Sequence, residues 1–217
     1  MPRGKAATFD QQRAAILAAA AELFAEKGFT GASMADVALA CGVSKPLLYH
    51  YYRDKRHLLF DAADSYLDRL VAISTEKRSP ELTPDAHFRA LVTRFMREYE
   101  HARAQHIVLV QDVKYLGPTE RESVIAKQRR VVDAFARAIN ALRPRLRTRA
   151  LRIPLAMILF GMINWTFTWL RPEGCLTYTD MANIVADVFL HGVVEPQPPT
   201  RSMPARRFTA ARNGARA

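Results

Sequence analysis

Residues 45 to 55 read KPLLYHYYRDK, which sets three tyrosines, one histidine and three cationic side chains into eleven positions. Lysine and arginine pair with phosphate oxygens as charges, tyrosine hydroxyls and imidazoles hydrogen-bond phosphates or base edges, and a leucine such as Leu47 offers apolar contact to thymine methyls. That chemistry is recognition of a polyanion. No bond-making constellation accompanies it: there is no G-x-S-x-G, no phosphate-binding glycine loop, no H-E-x-x-H and no cysteine pair. His101 and His106 stand five apart, off a shared helix face, so with Glu98 they make a poor metal site and are expected at the surface. No enzymatic activity, cofactor or metal is therefore expected.

The elements needed to present this cluster are readable on either side of it. Ile16, Leu17, Ala20, Leu23 and Phe24 share one helical face, and Gly28 after Glu26 and Lys27 suits a left-handed C-terminal stop. Ser33 with Asp36 signals the start of a short helix through Ala40, and Gly42 breaks it. Ser44 caps the next helix, with Pro46 in its first turn, where a missing N–H costs little. Ala38, Val43 and Leu48 are small or apolar where two short crossing helices meet, which predicts a helix-turn-helix. With Leu48 inward, Ser44, Lys45, Leu47, Tyr49, His50 and Arg53 face outward, and a major groove admits one such helix.

Strand alternation is absent, so the fold class is all-α. Leu58, Leu59, Ala62, Tyr66, Leu70 and Ile73 describe a long helix, and Phe88, Leu91, Val92, Phe95, Met96 and Tyr99 the next. Further helices are predicted over 104–115, 119–142, 148–170 and 179–193, with breaks at Gly117-Pro118, Pro144 and 171–174. The chain divides into a DNA-binding domain over 1–55, a larger domain over 56–194, and a proline- and arginine-rich tail over 195–217 expected to be disordered.

Thirty-two Lys and Arg against 21 Asp and Glu give 217 residues a net charge of +11, which favours nucleic acid, an acidic membrane surface or a phosphorylated ligand. Two cysteines without a pairing pattern and the absence of a signal peptide point to a reducing cytoplasm. Ile153 to Leu170 carries no charge, but Pro154, Gly161, Asn164, Thr166 and Thr168 mark it as a buried helix rather than a membrane span, and no membrane partner is expected.

Helix one ending in AEKGF, followed by SMADVALACGVSKPLLYHYYRDKRHLL, closely resembles the TetR family of bacterial transcriptional regulators over roughly residues 10 to 60. The resemblance implies that Ser33, Tyr49 and Lys55 hold phosphates while Lys45, Leu47 and His50 lie nearest the bases, with Ser44 at the head of the recognition helix. It also implies a homodimer, a double-stranded operator with two-fold symmetry, and a small-molecule effector in the larger domain. Two positions depart from the family pattern: Tyr52 stands where phenylalanine is usual, and Pro46-Leu47 replaces a small-residue pair.

A narrower resemblance covers INWTFTWLRPEGCLTYTDMANIVADVFLHGV, residues 163 to 193, which is similar to the C-terminal end of TetR-type regulators of fatty-acid, acyl-CoA and related lipid or sterol catabolism. It implies an acyl or acyl-CoA pocket, with which Phe95, Tyr99, Met157, Trp165 and Trp169 are compatible. Five arginines and no acid between Arg143 and Leu170, followed by Arg171, favour a lipophilic anion over a hydrophobic cation. The alternative is an efflux-gene regulator answering to hydrophobic drugs. Phe160, Ile163 and Phe167 on one helix, with Met181, Ile184, Val185, Val188 and Phe189 on the next, are apolar faces that serve either a four-helix dimer bundle or one subunit's own core.

Overall fold

The computed structural model describes residues 3–142, 150–171 and 173–192. Among these, every regular element is helical, as the missing strand alternation predicts. The arginines at 143, 145, 147 and 149 and the tail from 195 lie outside the described residues.

Helix α1 spans Arg3–Gly31 and buries Ile16, Ala20, Leu23 and Phe24. Gly28 does take a positive φ of 73°, which glycine alone adopts cheaply. It ends the regular helix as its position predicts: at ψ 157° the residue is non-helical, and the span to Gly31 adds a separate short helical turn in which Ala32 N donates to Gly28 O at 3.2 Å.

Helices α2 (Met34–Ala40) and α3 (Lys45–Tyr51) form as their local signals require. Ser33 and Asp36 close a reciprocal capping box: Asp36 N donates to Ser33 Oγ at 3.1 Å and Ser33 N to Asp36 Oδ2 at 2.9 Å. Gly42 turns the chain at φ 65°, Val43 N returns to Ala38 O at 3.0 Å, and Ser44 Oγ accepts from Leu47 N at 3.3 Å. Leu48 is fully buried beneath the turn.

Helix α4 (Lys55–Thr75), capped by Asp54, crosses from this head into the larger body. There it lies against α7 (Pro118–Leu142), α6 (Arg103–Gln111) and α5 (Pro84–His101), while α5 packs on α9 (Tyr178–Gly192) and α7 on α8 (Arg152–Asn164). One continuous buried cluster runs from Ile16 to Leu190, so head and body share a core.

The helix expected over 148–170 is shorter than its apolar run. It ends at Asn164, and Thr166–Thr168 form a 3-10 turn. The threonine hydroxyls bond back onto the backbone at this break: Thr166 Oγ1 donates to Ile163 O and Thr168 Oγ1 to Trp165 O, each at 2.7 Å. Trp165 and Trp169 therefore do not share one helix face. No described helix is long and apolar enough to cross a membrane.

Candidate DNA-binding face and effector cavity

Helix α3 presents Lys45, Leu47, Tyr49 and His50 to solvent, the face its sequence predicts, and Arg53, just past the helix end, is exposed as well. Two side chains expected to hold phosphates are already engaged. Ser33 Oγ donates its proton to Asp36 Oδ2 at 2.6 Å, and the same bonds hold the Asp36 carboxyl below its ordinary pKa. Lys55 Nζ donates to Phe29 O and Ala32 O, both at 2.6 Å, and sits 4.4 Å above the Phe29 ring. A lysine ammonium has three donors, so Lys55 spends two on the open end of α1 and keeps one. Its first task is to pin the start of α4 to α1.

A second tie at the same junction was not foreseen. Tyr52 Oη donates to Asp61 Oδ2 at 2.9 Å, and Arg13 Nη2 and Nε donate to that oxygen at 2.6 and 3.1 Å. Burial and the neighbouring Asp61 carboxylate push the Tyr52 hydroxyl far above its ordinary pKa, which keeps it a donor. Recognition-helix end, α1 and α4 thus meet on one carboxylate. The signal was present: a tyrosine in a buried slot that phenylalanine would fill needs a partner for its hydroxyl. Phe29 in turn stacks on Tyr115 at 5.0 Å, in the 3-10 turn Val113–Tyr115 that follows α6.

In the body, α4 to α8 enclose a cavity of about 230 Å³. Leu67, Leu70, Leu109 and Val131 supply much of its apolar wall, and the expected Phe95, Tyr99 and Met157 all line it. Trp165, Trp169 and Arg171 do not: the tryptophans are 62% and 50% exposed beyond the end of α8, and Arg171 is exposed beside them. Phe160 belongs to the wall, packed on Phe135 at 5.0 Å, rather than to a subunit interface.

His106, expected at the surface, is 2% exposed and lines the cavity. Its ring stacks on Tyr99 at 4.0 Å between centroids. Nε2 lies 3.3 Å from the backbone oxygen of Asn164, which can only accept, so Nε2 carries the proton. Nδ1 then accepts from the Tyr66 hydroxyl at 3.3 Å. Burial lowers the imidazole pKa to about 4, so the ring is neutral at physiological pH. Tyr99 Oη donates to Asn164 Oδ1 at 2.6 Å.

The apolar faces of α8 and α9 divide between core and surface. Phe160, Ile163, Phe167, Val185 and Phe189 are buried in this subunit, Phe189 stacking on Phe88 at 5.4 Å. Of the eight side chains expected at a dimer interface, Ile184 and Val188 are exposed and Met181 is half-buried. Ile158 of α8 and Trp165 just past its end are apolar and exposed as well. Each helix carries two adjacent apolar rows, and sequence periodicity alone does not say which row faces inward.

A helix-turn-helix with an outward basic face, joined by one long helix to a body holding a ligand-sized cavity, defines a DNA-binding regulator of transcription. The chain belongs to the TetR family: residues 16–62 match the family described as bacterial regulatory proteins, tetR family, and residues 81–193 match the tetracyclin repressor-like C-terminal domain. This is a family of transcription factors, not of enzymes. The chain is 27% identical over 193 residues to the HTH-type transcriptional repressor KstR2 of Rhodococcus jostii, covering 85% of this chain and 92% of that one. A TetR-family regulator of Bordetella parapertussis superposes with a TM-score of 0.73 at 33% identity, over 82% of this chain and 93% of that one. AibR, crystallised with isovaleryl coenzyme A and operator DNA, shares the fold with a TM-score of 0.69 at 24% identity, over 82% and 98%.

Proposed function

We propose that the chain is a homodimeric repressor that binds a palindromic operator through its head, residues 1–55, and is released when an acyl-CoA enters the body, residues 56–194. The carrying observation is that Leu67 and Leu70 of the cavity wall stand on α4, the helix whose first residue, Lys55, is bonded to the end of α1. A ligand that displaces α4 moves the recognition helix with it. The cavity, at about 230 Å³, is below the roughly 300–1,000 Å³ of drug-sized sites, so it takes a short acyl chain and leaves the nucleotide portion outside. The exposed Val110 and Met157 mark its mouth. AibR holds an acyl-CoA and operator DNA on the same fold, which makes the pairing physically reasonable here.

A hydrophobic cationic drug is disfavoured because no carboxylate lines the cavity. The exposed apolar side chains Ile158, Trp165, Ile184 and Val188 mark the face on which we place the dimer contact, spacing two recognition helices about 34 Å apart. An effector preferring the released conformer by about 3 kcal/mol changes operator occupancy over a hundredfold.

Fluorescence anisotropy with the protein's own promoter DNA tests this reading. Acyl-CoAs of graded length are expected to dissociate the complex, with short chains most effective. Release by hydrophobic cations, and not by acyl-CoAs, would favour the efflux alternative.

A further inference from the structure

The cavity wall contains no charged side chain: among its lining residues the polar groups are Tyr99, His106, Gln128 and Asn164. Two of these are spent on each other or on the backbone. His106 gives its one proton to the Asn164 carbonyl and its lone pair to Tyr66, so it offers a ligand neither charge nor donor. The buried Tyr99 hydroxyl has Asn164 Oδ1 as its acceptor, at 2.6 Å. That bond fixes the amide, since a buried phenol must donate and the Asn164 oxygen is the acceptor in reach. The Asn164 Nδ2 group, with two N–H donors, is therefore turned away from Tyr99, and no described residue accepts from it. Neither Arg103, which donates to Phe167 O at 3.0 Å, nor Arg69, which pairs with Glu98 at 2.7 Å, lines the cavity.

We infer that the cavity recognises an uncharged carbonyl oxygen through Asn164 Nδ2, and so selects acyl thioesters or esters over the matching carboxylates. The inference deepens the acyl-CoA reading above. A carbonyl oxygen needs one good donor and little desolvation, whereas a carboxylate here would be buried without a cation. Tyr99 acts as a positioning residue, holding the amide so that its nitrogen points at the ligand. The apolar wall of Leu67, Leu70, Phe95 and Val131 then receives the chain beyond the carbonyl.

Calorimetry on the full chain with four probes separates this inference from the reading it rests on. Hexanoyl-CoA and S-hexyl-CoA, a thioether, have the same charge and chain and differ at the carbonyl oxygen. The thioester is expected to bind about tenfold more tightly, the worth of one neutral hydrogen bond. Asn164→Asp, which still accepts from Tyr99 but has no amide donor, should abolish that preference, and Tyr99→Phe should reduce it. Methyl hexanoate and hexanoate remove coenzyme A from the comparison, and the ester is expected to bind at least a hundredfold more tightly than the acid. Equal affinity for thioester and thioether, or hexanoate binding as well as its ester, overturns the carbonyl inference even if acyl-CoAs are effectors. If neither coenzyme A probe binds but the ester still outbinds the acid, the acyl-CoA reading fails and the carbonyl site stands.

Discussion

Tyr52 and Asp61 are joined by a 2.9 Å hydrogen bond that ties the end of the recognition helix to the second turn of α4, on the oxygen that Arg13 also holds. The bond sits on the route from the cavity to the DNA-binding face, where the family resemblance leads one to expect phenylalanine. Tyr52→Phe keeps the ring and removes the hydroxyl. It is expected to destabilise the fold by about 1 kcal/mol in urea titration, the usual worth of a neutral-to-charged hydrogen bond partly compensated by the remaining Arg13 pair. Unchanged stability would mean that the carboxylate is satisfied by Arg13 alone.

Lys45 and Lys55 should behave differently although both are lysines of one basic cluster. Lys45 is exposed, so Lys45→Ala should leave stability alone and lower the salt slope of DNA binding by about one. Lys55→Met should orphan the carbonyls of Phe29 and Ala32 and lower stability by about 1–3 kcal/mol. Parallel measurement of melting and of salt-dependent anisotropy checks both. Equal salt slopes and stabilities for the two variants would return Lys55 to a purely phosphate-binding role.

Val185 and Val188 are three residues apart on α9 and face opposite surroundings, one fully buried and the other 56% exposed. Val188→Asp is expected to give folded monomers by analytical ultracentrifugation, with operator affinity lost because each half-site contact is weak alone. Val185→Asp should instead unfold the body, because it buries an unpaired charge. A dimer that survives Val188→Asp places the interface elsewhere.

His106 gives the fold a pH dependence with a definite sign. Its folded pKa of about 4 lies below the ordinary 6.5, so as pH falls through this window the unfolded chain takes up a proton that the folded chain refuses. Its contribution is complete above pH 6.5 and falls by about 3 kcal/mol on the way to pH 4. Tyr66 and Tyr99, the titratable groups packed on the ring, are both shifted upward by burial and stay neutral throughout. Denaturant titrations at pH 7 and pH 4.5 should show a smaller loss for His106→Gln, whose amide replaces the Nε2 donor without titrating. Equal losses would show that the ring is not held neutral.

The head was legible because its signals are local. Ser33 with Asp36, Gly42, Ser44 and Leu48 each act within a few residues, and the structure uses every one as read. The body was legible as helices but not as a site. His106 is buried by partners 40 and 58 residues away, Tyr66 and Asn164, and nothing near it in sequence announces them. The pair of tryptophans misled because an uninterrupted apolar run conceals a helix end at Asn164 and the 3-10 turn that follows it. Phe160 and Ile184 were grouped together because both are apolar at helical spacing, and only packing separates the wall of a cavity from an outer face.

Release of DNA by a ligand in the cavity requires the two binding equilibria to be coupled, and coupling is reciprocal. The most direct measurement is the affinity of hexanoyl-CoA for the free protein and for the protein saturated with operator, by calorimetry under one salt condition. Hexanoyl-CoA should bind the operator complex more weakly by the same factor, about a hundredfold, by which it weakens operator binding. Equal affinity for the free and operator-bound protein would contradict release through α4, whatever else the cavity holds.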